Sequence, residues 1–430
     1  MDKRFNNLFN LSEEEAIALL DTPQSQLKEG DSRYVAASHL INFSTDASIP
    51  ALIRAVEATE DTSLENRIVR RKSVESLGKL KAPQGLPIIR GCLGEEDHLT
   101  VENAVWAIGE IGTTDTAILD EVAAQLDREG QNHRVVIHTL AKLGHQSSLD
   151  KIRTFIEAEE APVASAAISA VCRFTNAYSL MEKVVEFMFH PMVIVRRLAI
   201  QDLIDAKYIE AIHEMSRAPV SIAFRLRGIR ILSTIGHGTG KLTFDFVQPY
   251  IEKTLLDHPD GLDLVHAYDI VPGLPFLIRE LYQTDFGRCY LAVKSILEHY
   301  PEEAPAALFA TYEEEAYNDY GAHFHVMKLF GWLNHAPAYD LLVEALHNRA
   351  PQFQKSRAAA AIALGELGDP RAIPELKTSL ESQIFDLSYA ALMALDKLGD
   401  TNALELAANH PNWLIQAKAN SLMANLSAAE

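Results

Sequence analysis

The 430-residue sequence has very few cysteines: only Cys92, Cys172 and Cys289. Because they lie far apart along the chain, neither a disulfide framework nor a zinc cluster is indicated. Long apolar runs are also missing, and none approaches the ~20 residues that a membrane-spanning helix needs. The first residues lack the apolar core and the small-residue cleavage site of a signal peptide. From these absences we expect a soluble protein in the reducing environment of the cytoplasm.

Positive charge is scarce as well. The chain has 39 Lys and Arg against 59 Asp and Glu, a formal net charge of −20. Binding along a nucleic-acid backbone requires clusters of basic residues, and none is evident on the scale of a domain, so we expect no nucleic-acid partner. The segment Gly236–Lys241 (GHGTGK) is one residue shorter than a phosphate-binding loop, and Leu242 stands where a Ser or Thr must bind magnesium.

The most informative stretch is Arg357–Leu380, RAAAAIALGELGDPRAIPELKTSL. Apolar and Ala positions recur every three or four residues as far as Leu364, which predicts a helix. Gly365, Gly368 and Asp369-Pro370 then interrupt the pattern, and a second apolar stripe follows. Gly is common at helix C-termini, Asp at N-caps and Pro in the first turn. Because two such short helices cannot bury their own apolar faces, the stretch predicts a repeat that stacks on copies of itself.

The same pattern recurs along the chain at a spacing near 31 residues. The positions equivalent to Gly365 are Ile41, Gly78, Gly109, Ala141, Cys172, Ile204, Ile235, Gly331 and Asp396. The 96 residues between Ile235 and Gly331 equal three steps of 32, so degenerate repeats are expected there. Two helices per unit at this spacing predict an all-α fold, an α-solenoid of about ten or more two-helix units in a curved superhelix.

We expect four regions along this solenoid. They are an N-terminal capping helix in residues 1–30, regular repeats in 31–240, degenerate repeats in 241–320, and C-terminal repeats with a cap in 321–430. In the first region, Ser12 followed by Glu15 predicts a capping box at the start of a helix.

An arginine recurs eight residues before the aligned turn position. At Arg33 and Arg357 we favour a structural role, in which the arginine links neighbouring repeats through turn carboxylates such as Asp369. Elsewhere the arginine is doubled, which predicts that one guanidinium of a pair remains to clamp a ligand carboxylate. The doubled positions are Arg70-Arg71, Arg196-Arg197 and Arg225/Arg227.

One departure from the repeat consensus is the helix that contains Glu102, Trp106 and Glu110. Their spacing places all three on one face. An aromatic ring between two carboxylates can hold a flat conjugated ligand and supply proton acceptors. The alternative is a core tryptophan with solvated glutamate neighbours.

The densest cluster of chemically active residues is Tyr312–Trp332, YEEEAYNDYGAHFHVMKLFGW. The alignment places Tyr317, Asp319 and Tyr320 at the N-terminal edge of a helix, followed by His323 and His325. This is a candidate acid–base site at a helix end that offers N–H groups to anions. The alternative is that Asp319 is an N-cap and the tyrosines pack. Because residues two apart on a helix do not face each other, we reject a metal site at the histidines.

These motifs resemble a known family. The unit LGELGDPRAIPELKTSL is similar to the HEAT-like repeat of the phycobilin lyases, although such repeats also occur in scaffold proteins. Three further segments resemble the E/F-type bilin lyases, and among them the long single-chain members that serve phycoerythrin. The segments are NLFNLSEEEAIALLDTP, ENAVWAIGEIG and EEEAYNDYGAHFHVMKLFGWL. The resemblance extends over essentially the whole chain.

The resemblance implies covalent attachment of phycoerythrobilin to a cysteine of a phycoerythrin subunit, with the apo α subunit as the expected partner. Some members also isomerise the bilin to phycourobilin, and the sequence leaves both activities open. Phycoerythrobilin is then a substrate, and no permanently bound cofactor is expected. The oligomeric state is not indicated.

Within this chemistry the candidate residues take definite roles. Asp319 with Tyr317 or Tyr320 is expected to move protons at ring A of the bilin. Trp106 is expected to stack on a ring with Glu102 beside it, and His323 and His325 are expected to border the bilin. The arginines expected to bind the propionates are Arg70, Arg71, Arg196, Arg197 and Arg227.

Two other functions are compatible with the same sequence. The chain fits a non-catalytic bilin carrier or chaperone for antenna subunits. It also fits a HEAT-repeat scaffold that binds a protein partner along its concave face, which would need none of the Tyr, Asp and His cluster.

Overall fold

A computed structural model describes residues 11–429 of the chain, and most of these residues are helical. Those residues contain 25 α-helices and no strand. The predicted all-α fold of helical repeats is confirmed. Residues 1–10 of the predicted capping region lie outside the described part. None of the helices described is long and apolar enough to cross a bilayer.

The chain divides into two compact units, residues 1–178 and 179–430. The helices of the first unit are α1 Glu13–Asp21, α2 Arg33–His39, α3 Ser48–Glu57, α4 Leu64–Lys79, α5 Leu86–Cys92, α6 His98–Ile111, α7 Thr116–Ala124, α8 His133–Leu143, α9 Leu149–Arg153 and α10 Ala161–Thr175. Those of the second are α11 Met181–Phe187, α12 Val193–Asp205, α13 Ile212–Arg217, α14 Ile222–Gly238, α15 Phe244–Leu256, α16 Leu274–Glu280, α17 Phe286–His299, α18 Ala304–Thr311, α19 Tyr320–Trp332, α20 Tyr339–His347, α21 Gln354–Leu367, α22 Ile373–Leu380, α23 Phe385–Lys397, α24 Asn402–Ala407 and α25 Trp413–Ala429.

The local signals at helix ends act as the sequence predicts. Ser12 and Glu15 form the capping box at the start of α1: the serine hydroxyl accepts from the Glu15 N–H at 3.2 Å, and the glutamate accepts from the Ser12 N–H at 2.8 Å. Gly368 ends α21 in the left-handed conformation, with φ +67°, which costs glycine no steric strain. Asp369 then caps a short turn that leads into α22.

The glycines used to align the repeats have a different role from the one expected. Gly365 lies inside α21 instead of breaking it, and Gly78 and Gly331 likewise lie inside helices. Each touches an alanine of the next repeat so closely that a Cβ atom would meet it at 2.8–2.9 Å. Their absent side chains therefore let the helices of adjacent repeats approach backbone to backbone.

In the degenerate region, one helix of a repeat is missing. The spacing of 32 residues puts the next aligned position after Ile235 near residue 267, but residues 257–273 contain only a short 3-10 turn. The step after that falls at His299, the last residue of α17, where the repeat pattern resumes. One of the two expected inner repeats therefore lacks its longer helix.

A buried polar network holds the chain where that helix is missing. Asp257, directly after α15, pairs with the Arg225 guanidinium of α14 and accepts from the Tyr290 hydroxyl of α17 at 3.0 Å. Lys328 of α19 donates to the Leu256 carbonyl at 2.9 Å, which satisfies the end of α15. All four side chains of the network are buried. Burial raises the pKa of Tyr290 and lowers the pKa of Lys328 to about 8.

Replacing Gly78 by alanine tests the close approach between repeats. The added Cβ would lie 2.9 Å from both Cα and Cβ of Ala107, and backbone atoms cannot rotate away. We expect the free energy of unfolding to fall by about 1–3 kcal/mol, as for other overpacked sites. Chemical denaturation followed by circular dichroism measures this. The control is Gly91→Ala on α5, where nothing lies within 4 Å and the change should be neutral or slightly stabilising. Equal stability of the two variants would contradict the prediction.

Asp257→Ala tests the buried network. Removing the carboxylate leaves the Arg225 charge buried without its counterion, so we expect a loss of about 3–5 kcal/mol in unfolding free energy. The control is Glu366→Ala, which breaks the partly exposed pair with Lys397 in the same unit and should cost less than about 1 kcal/mol. If both variants lose a similar amount in thermal and chemical denaturation, the network does not stabilise the unit as inferred.

Candidate functional site

The recurring arginine is structural, as expected for Arg33 and Arg357, but its partners differ from those predicted. The Nε atoms of three such arginines donate at 2.8–2.9 Å to carbonyl oxygens in the last turn of the preceding helix. These pairs are Arg33 with Leu20, Arg70 with Val56 and Arg357 with Leu346. A cation at a helix C-terminus satisfies unpaired carbonyls and the helix dipole. Asp369, the expected carboxylate partner, instead pairs with Arg371 in its own turn at 2.6 Å.

The first arginine pair has no spare guanidinium. Arg70 is buried and forms a two-point ion pair with Glu95, at 2.6 and 3.1 Å. Arg71 binds Asp97 in the same fashion, at 2.6 and 2.8 Å. Since both guanidinium groups are occupied by carboxylates of the next repeat, the prediction that one of them remains for a ligand is wrong.

Each of the other two pairs leaves one arginine without a carboxylate partner. Arg196 is fully buried, pairs with Asp285 and donates to two backbone carbonyls. Arg197 is partly exposed, lies across the Phe224 ring at 5.3 Å and donates to the Thr284 carbonyl at 2.6 Å. Arg225 belongs to the buried network, whereas Arg227 is exposed and donates to the Gln201 amide at 2.7 Å. The members without a carboxylate partner are therefore Arg197 and Arg227, and Arg196 is removed from the ligand-binding set.

Trp106 and Glu102 lie in the first unit. The Trp106 indole is partly buried and packs against the core, close to Gly78. Glu102 accepts from the Asn132 amide at 3.0 Å, and Glu110 pairs with Lys142 at 2.7 Å. Both carboxylates thus link α6 to α8, which favours the structural alternative for this helix face.

Tyr317, Asp319 and Tyr320 surround the start of α19. The Asp319 Oδ1 atom accepts from the N–H groups of Gly321 and Ala322 at 2.8 and 2.7 Å, so the N-cap role is present. Its Oδ2 atom has no hydrogen bond from any described residue. Tyr317 and Tyr320 are 54% and 46% exposed, so both phenols face solvent rather than the core.

His323 and His325 were expected to border a ligand, but both are buried in the core of the second unit. Burial lowers the pKa of His323 to about 4 and also lowers the pKa of His325 well below its usual value, so both rings are neutral. His325 packs against the rings of Phe286 and Tyr290 at 4.8 and 5.5 Å. Neither imidazole reaches the surface, so we remove them from the site.

The structure brings other residues into the site that the motifs did not indicate. Successive helices of the second unit place side chains in a row at their first or second positions, which we call the N-terminal row. Its members are Phe286 on α17, Tyr320 on α19, Lys355 on α21, and Phe385 with Asp386 on α23. These helices pack in sequence against one another, and packed helix axes lie about 8–10 Å apart. The row therefore combines aromatic rings, an amine and a carboxylate along one edge.

Arg230 of α14 lies against the α23 end of this row. Its guanidinium stacks on the Phe385 ring at 4.0 Å and lies 3.7 Å from an Asp386 oxygen, too far for a hydrogen bond. Burial raises the pKa of Asp386, although the Arg230 charge opposes this. Next to them is a cavity of about 420 Å³ lined by Arg227, Arg230, Ile231, Thr234, Ile235, Asn412 and Leu414. Two arginines on an apolar wall can bind a ligand that carries carboxylates.

A larger cavity of about 800 Å³ lies near the opposite ends of α17 and α19. It is lined by His258, Leu297, Pro301, Glu302, Pro305, Ala306, Phe309, Trp332, Leu333 and His335. It contains no arginine or lysine, and its only permanent charge is the Glu302 carboxylate. It therefore lacks the cations that a dicarboxylate ligand requires.

A signal for the N-terminal row was present in the sequence. Ten or eleven residues before the aligned turn positions, large apolar side chains recur and are exposed in the structure. They are Ile68 and Leu99 in the first unit, and Ile194, Phe224 and Tyr320 in the second. Lys355 and Asp386 occupy the same register. The arginine eight residues before the turn position has the more conspicuous side chain, but its role is mainly structural.

The chain is similar both to a family of repeat proteins and to individual proteins over most of their length. A family described as HEAT repeats matches residues 62–131 and 339–424. The chain is 60% identical over 421 residues to the uncharacterized phycocyanin operon protein Y of Pseudanabaena tenuis, covering 98% of this chain and 100% of that protein. It is 31% identical over 408 residues to the bilin biosynthesis protein CpeY of a Synechococcus species, covering 91% and 97%. It is 25% identical over 272 residues to the phycocyanobilin lyase subunit alpha of a Picosynechococcus species, covering 60% and 94%.

The likeness to the first two relatives extends over nearly the whole of both chains, so it includes the non-repeat segments as well as the repeats. A match limited to the repeats would indicate only the fold. The chain belongs to the E/F-type phycobilin lyase family of HEAT-repeat proteins.

Proposed function

We propose that this protein attaches phycoerythrobilin to a cysteine of the phycoerythrin α subunit by forming a thioether bond. The observation that carries the proposal is the 31% identity, over 91% of the chain, to a bilin biosynthesis protein. The site in the second unit supports it, because it offers cations, aromatic rings and groups that exchange protons. These are the features that a conjugated tetrapyrrole with two propionates requires.

The propionates are bound by the arginines that have no carboxylate partner at hydrogen-bonding distance. Arg227 and Arg230 line the 420 Å³ cavity, and neither makes a hydrogen bond to a carboxylate among the described residues. A guanidinium group binds a carboxylate through two parallel hydrogen bonds. With the propionates there, the flat rings extend along the row towards the exposed ring of Tyr320.

The attacking thiol belongs to the acceptor subunit. All three cysteines of this chain are buried. Burial raises the pKa of Cys92 and Cys289 to about 12 and the pKa of Cys172 to about 11, so none forms a thiolate at neutral pH. A chain without a reactive thiol of its own fits a reaction in which the enzyme holds the bilin and the partner supplies the sulfur.

Asp319 and the neighbouring phenols handle protons at ring A. The uncapped Oδ2 atom of Asp319 exchanges a proton with the bilin, and Tyr317 or Tyr320 donates a hydrogen bond from the exposed edge. In a lyase that also isomerises the product to phycourobilin, one group removes a proton from ring A and another delivers a proton nearby. The cluster at the start of α19 contains both kinds of group.

Two other functions remain as outcomes of the test. A bilin carrier would bind the pigment without forming the thioether. The 60% identical relative is called a phycocyanin operon protein, which favours phycocyanin as a second acceptor to test.

Asp319→Asn tests the proposed chemistry. Asparagine caps a helix as well as aspartate does, so the fold is kept while the proton-exchanging oxygen is lost. The chain is produced together with a phycoerythrobilin pathway and single phycoerythrin or phycocyanin subunits. We expect wild type to give colour that stays on the phycoerythrin α subunit in a denaturing gel, and the variant to give at least about a hundredfold less. The absorption of the adduct distinguishes phycoerythrobilin from phycourobilin.

The control for that variant is Asp369→Asn, which alters another helix-turn cap outside the site. Colour lost on denaturation would support a carrier, and colour only on phycocyanin would refute the acceptor. An Asp319→Asn protein with wild-type attachment and isomerisation would exclude Asp319 from the chemistry.

Arg227→Gln and Arg230→Gln test the propionate site. A hydrogen bond to a charged group contributes about 1.5–3 kcal/mol, so each variant should bind phycoerythrobilin roughly ten- to a hundredfold more weakly. Titration of the pigment by absorption or fluorescence measures the dissociation constant. Arg371→Gln is the matched control, since that guanidinium is exposed and already paired with Asp369. Unchanged affinity in both site variants would place the propionates elsewhere.

A further inference from the structure

The amine of Lys355 lies among aromatic rings and has no counterion in the described part of the chain. Its Nζ atom lies 4.0 Å from the centre of the Phe286 ring, 4.5 Å from that of Tyr320 and 5.1 Å from that of Phe324. It makes no hydrogen bond or ion pair with any residue in the described part of the chain. Two of the rings are buried, but Tyr320 is half exposed, so the amine lies where the core opens to solvent.

The charged and titratable groups around Lys355 come from several helices. Asp319 precedes α19, Cys289 is on α17, Asp257 follows α15, and Arg197 is on α12. The neutral His323 and His325 complete the surroundings. Burial is the largest influence and lowers the pKa of Lys355 to about 7, against the opposing effect of the acidic groups. Near neutral pH the amine therefore exists in both its protonated and its neutral form.

We propose that Lys355 is the base that takes the proton from the acceptor cysteine and then returns it to the bilin. This rests on the proposed function of bilin attachment. Three features of the structure support it: the position of the amine over the Tyr320 ring, its partial exposure at the edge of the row, and the absence of a hydrogen-bond acceptor for it among the described residues. Lys328 of α19, by contrast, donates to the Leu256 carbonyl.

The step balances without any further reactant. The neutral Lys355 amine accepts the thiol proton, and the thiolate forms a bond to the exocyclic ethylidene carbon of ring A. The electron pair of the ethylidene double bond moves into the conjugated system. The Lys355 ammonium then gives its proton to the adjacent ring carbon. The sum is the addition of S–H across one C=C bond, and the amine is regenerated.

The test uses the purified full chain, phycoerythrobilin and the apo acceptor subunit, with the rate of thioether formation measured between pH 6 and 9. For wild type we expect a rate that rises through pH about 7, as the amine becomes neutral. For Lys355→Met we expect a rate at least about a hundredfold lower. Its remaining rate should rise only as the free thiol ionises, near pH ~8.5.

Two further variants separate catalysis from binding and folding. Lys355→Arg keeps the positive charge but cannot lose its proton, so it should bind phycoerythrobilin as wild type does and still be slow. Methylamine, which replaces the missing amine, should partly restore the rate of Lys355→Ala. It should not change the rate of Lys397→Ala, the control in the same unit. If circular dichroism shows that Lys355→Met does not fold, the rate of Lys355→Arg tests the proposal instead.

The outcomes distinguish this proposal from the one on which it rests. Lys355 is not the base if Lys355→Arg attaches the bilin at the wild-type rate. The same holds if the rate of Lys355→Arg still rises through pH about 7. In both cases the protein is still a lyase. If wild type forms no thioether on any subunit, both proposals fail.

Discussion

The second unit depends on the buried ion pair between Arg225 and Asp257. Desolvating two charges is costly unless hydrogen bonds satisfy both groups, and here they do. Arg225 also donates to the carbonyls of Val220 and Ser216 and to the Tyr290 hydroxyl, which itself donates to Asp257. The pair lies where the repeat lacks a helix, so it replaces packing that the missing helix would supply. It thereby keeps α14, which carries Arg227 and Arg230, in register with α17 and the helices that follow.

The fold was predictable because it follows from local, repeated signals. Apolar spacing, caps and prolines each depend on a few neighbouring residues, and their recurrence near 31 residues identified the helical repeats. The role of Gly365 was not predictable in the same way. Glycine both ends helices and permits close contact between them, and only the position of Ala394 on the next repeat distinguishes the two. The missing helix in residues 257–273 was not predictable from the repeat spacing, because a spacing does not determine the conformation of the residues within it.

The surroundings of the candidate residues were predictable only in part. Tyr320, Arg197 and Arg227 are at least partly exposed, whereas Arg70, Arg71 and Arg196 pair with carboxylates of the protein. Which arginine of a pair is occupied depends on carboxylates of other repeats, such as Glu95 for Arg70 and Asp285 for Arg196. Arg230 and Asp386 meet although they are far apart in sequence. Such pairings arise from how the repeats pack, and no pattern within a single repeat contains them.

Each helix of the N-terminal row contributes a side chain from its first turn to the same edge of the unit. The surroundings of these side chains differ, and so do their pKa values. In Asp319, the Oδ1 atom caps the helix, and the Oδ2 atom accepts no hydrogen bond from a described residue. Lys355 lies against rings, so burial lowers its pKa to about 7, while burial raises the pKa of Asp386. Burial disfavours the charged form of each group, so it lowers the pKa of the amine and raises the pKa of the carboxyl group. A repeat architecture is well suited to this, because each helix can change one side chain at a fixed position without altering the packing behind it.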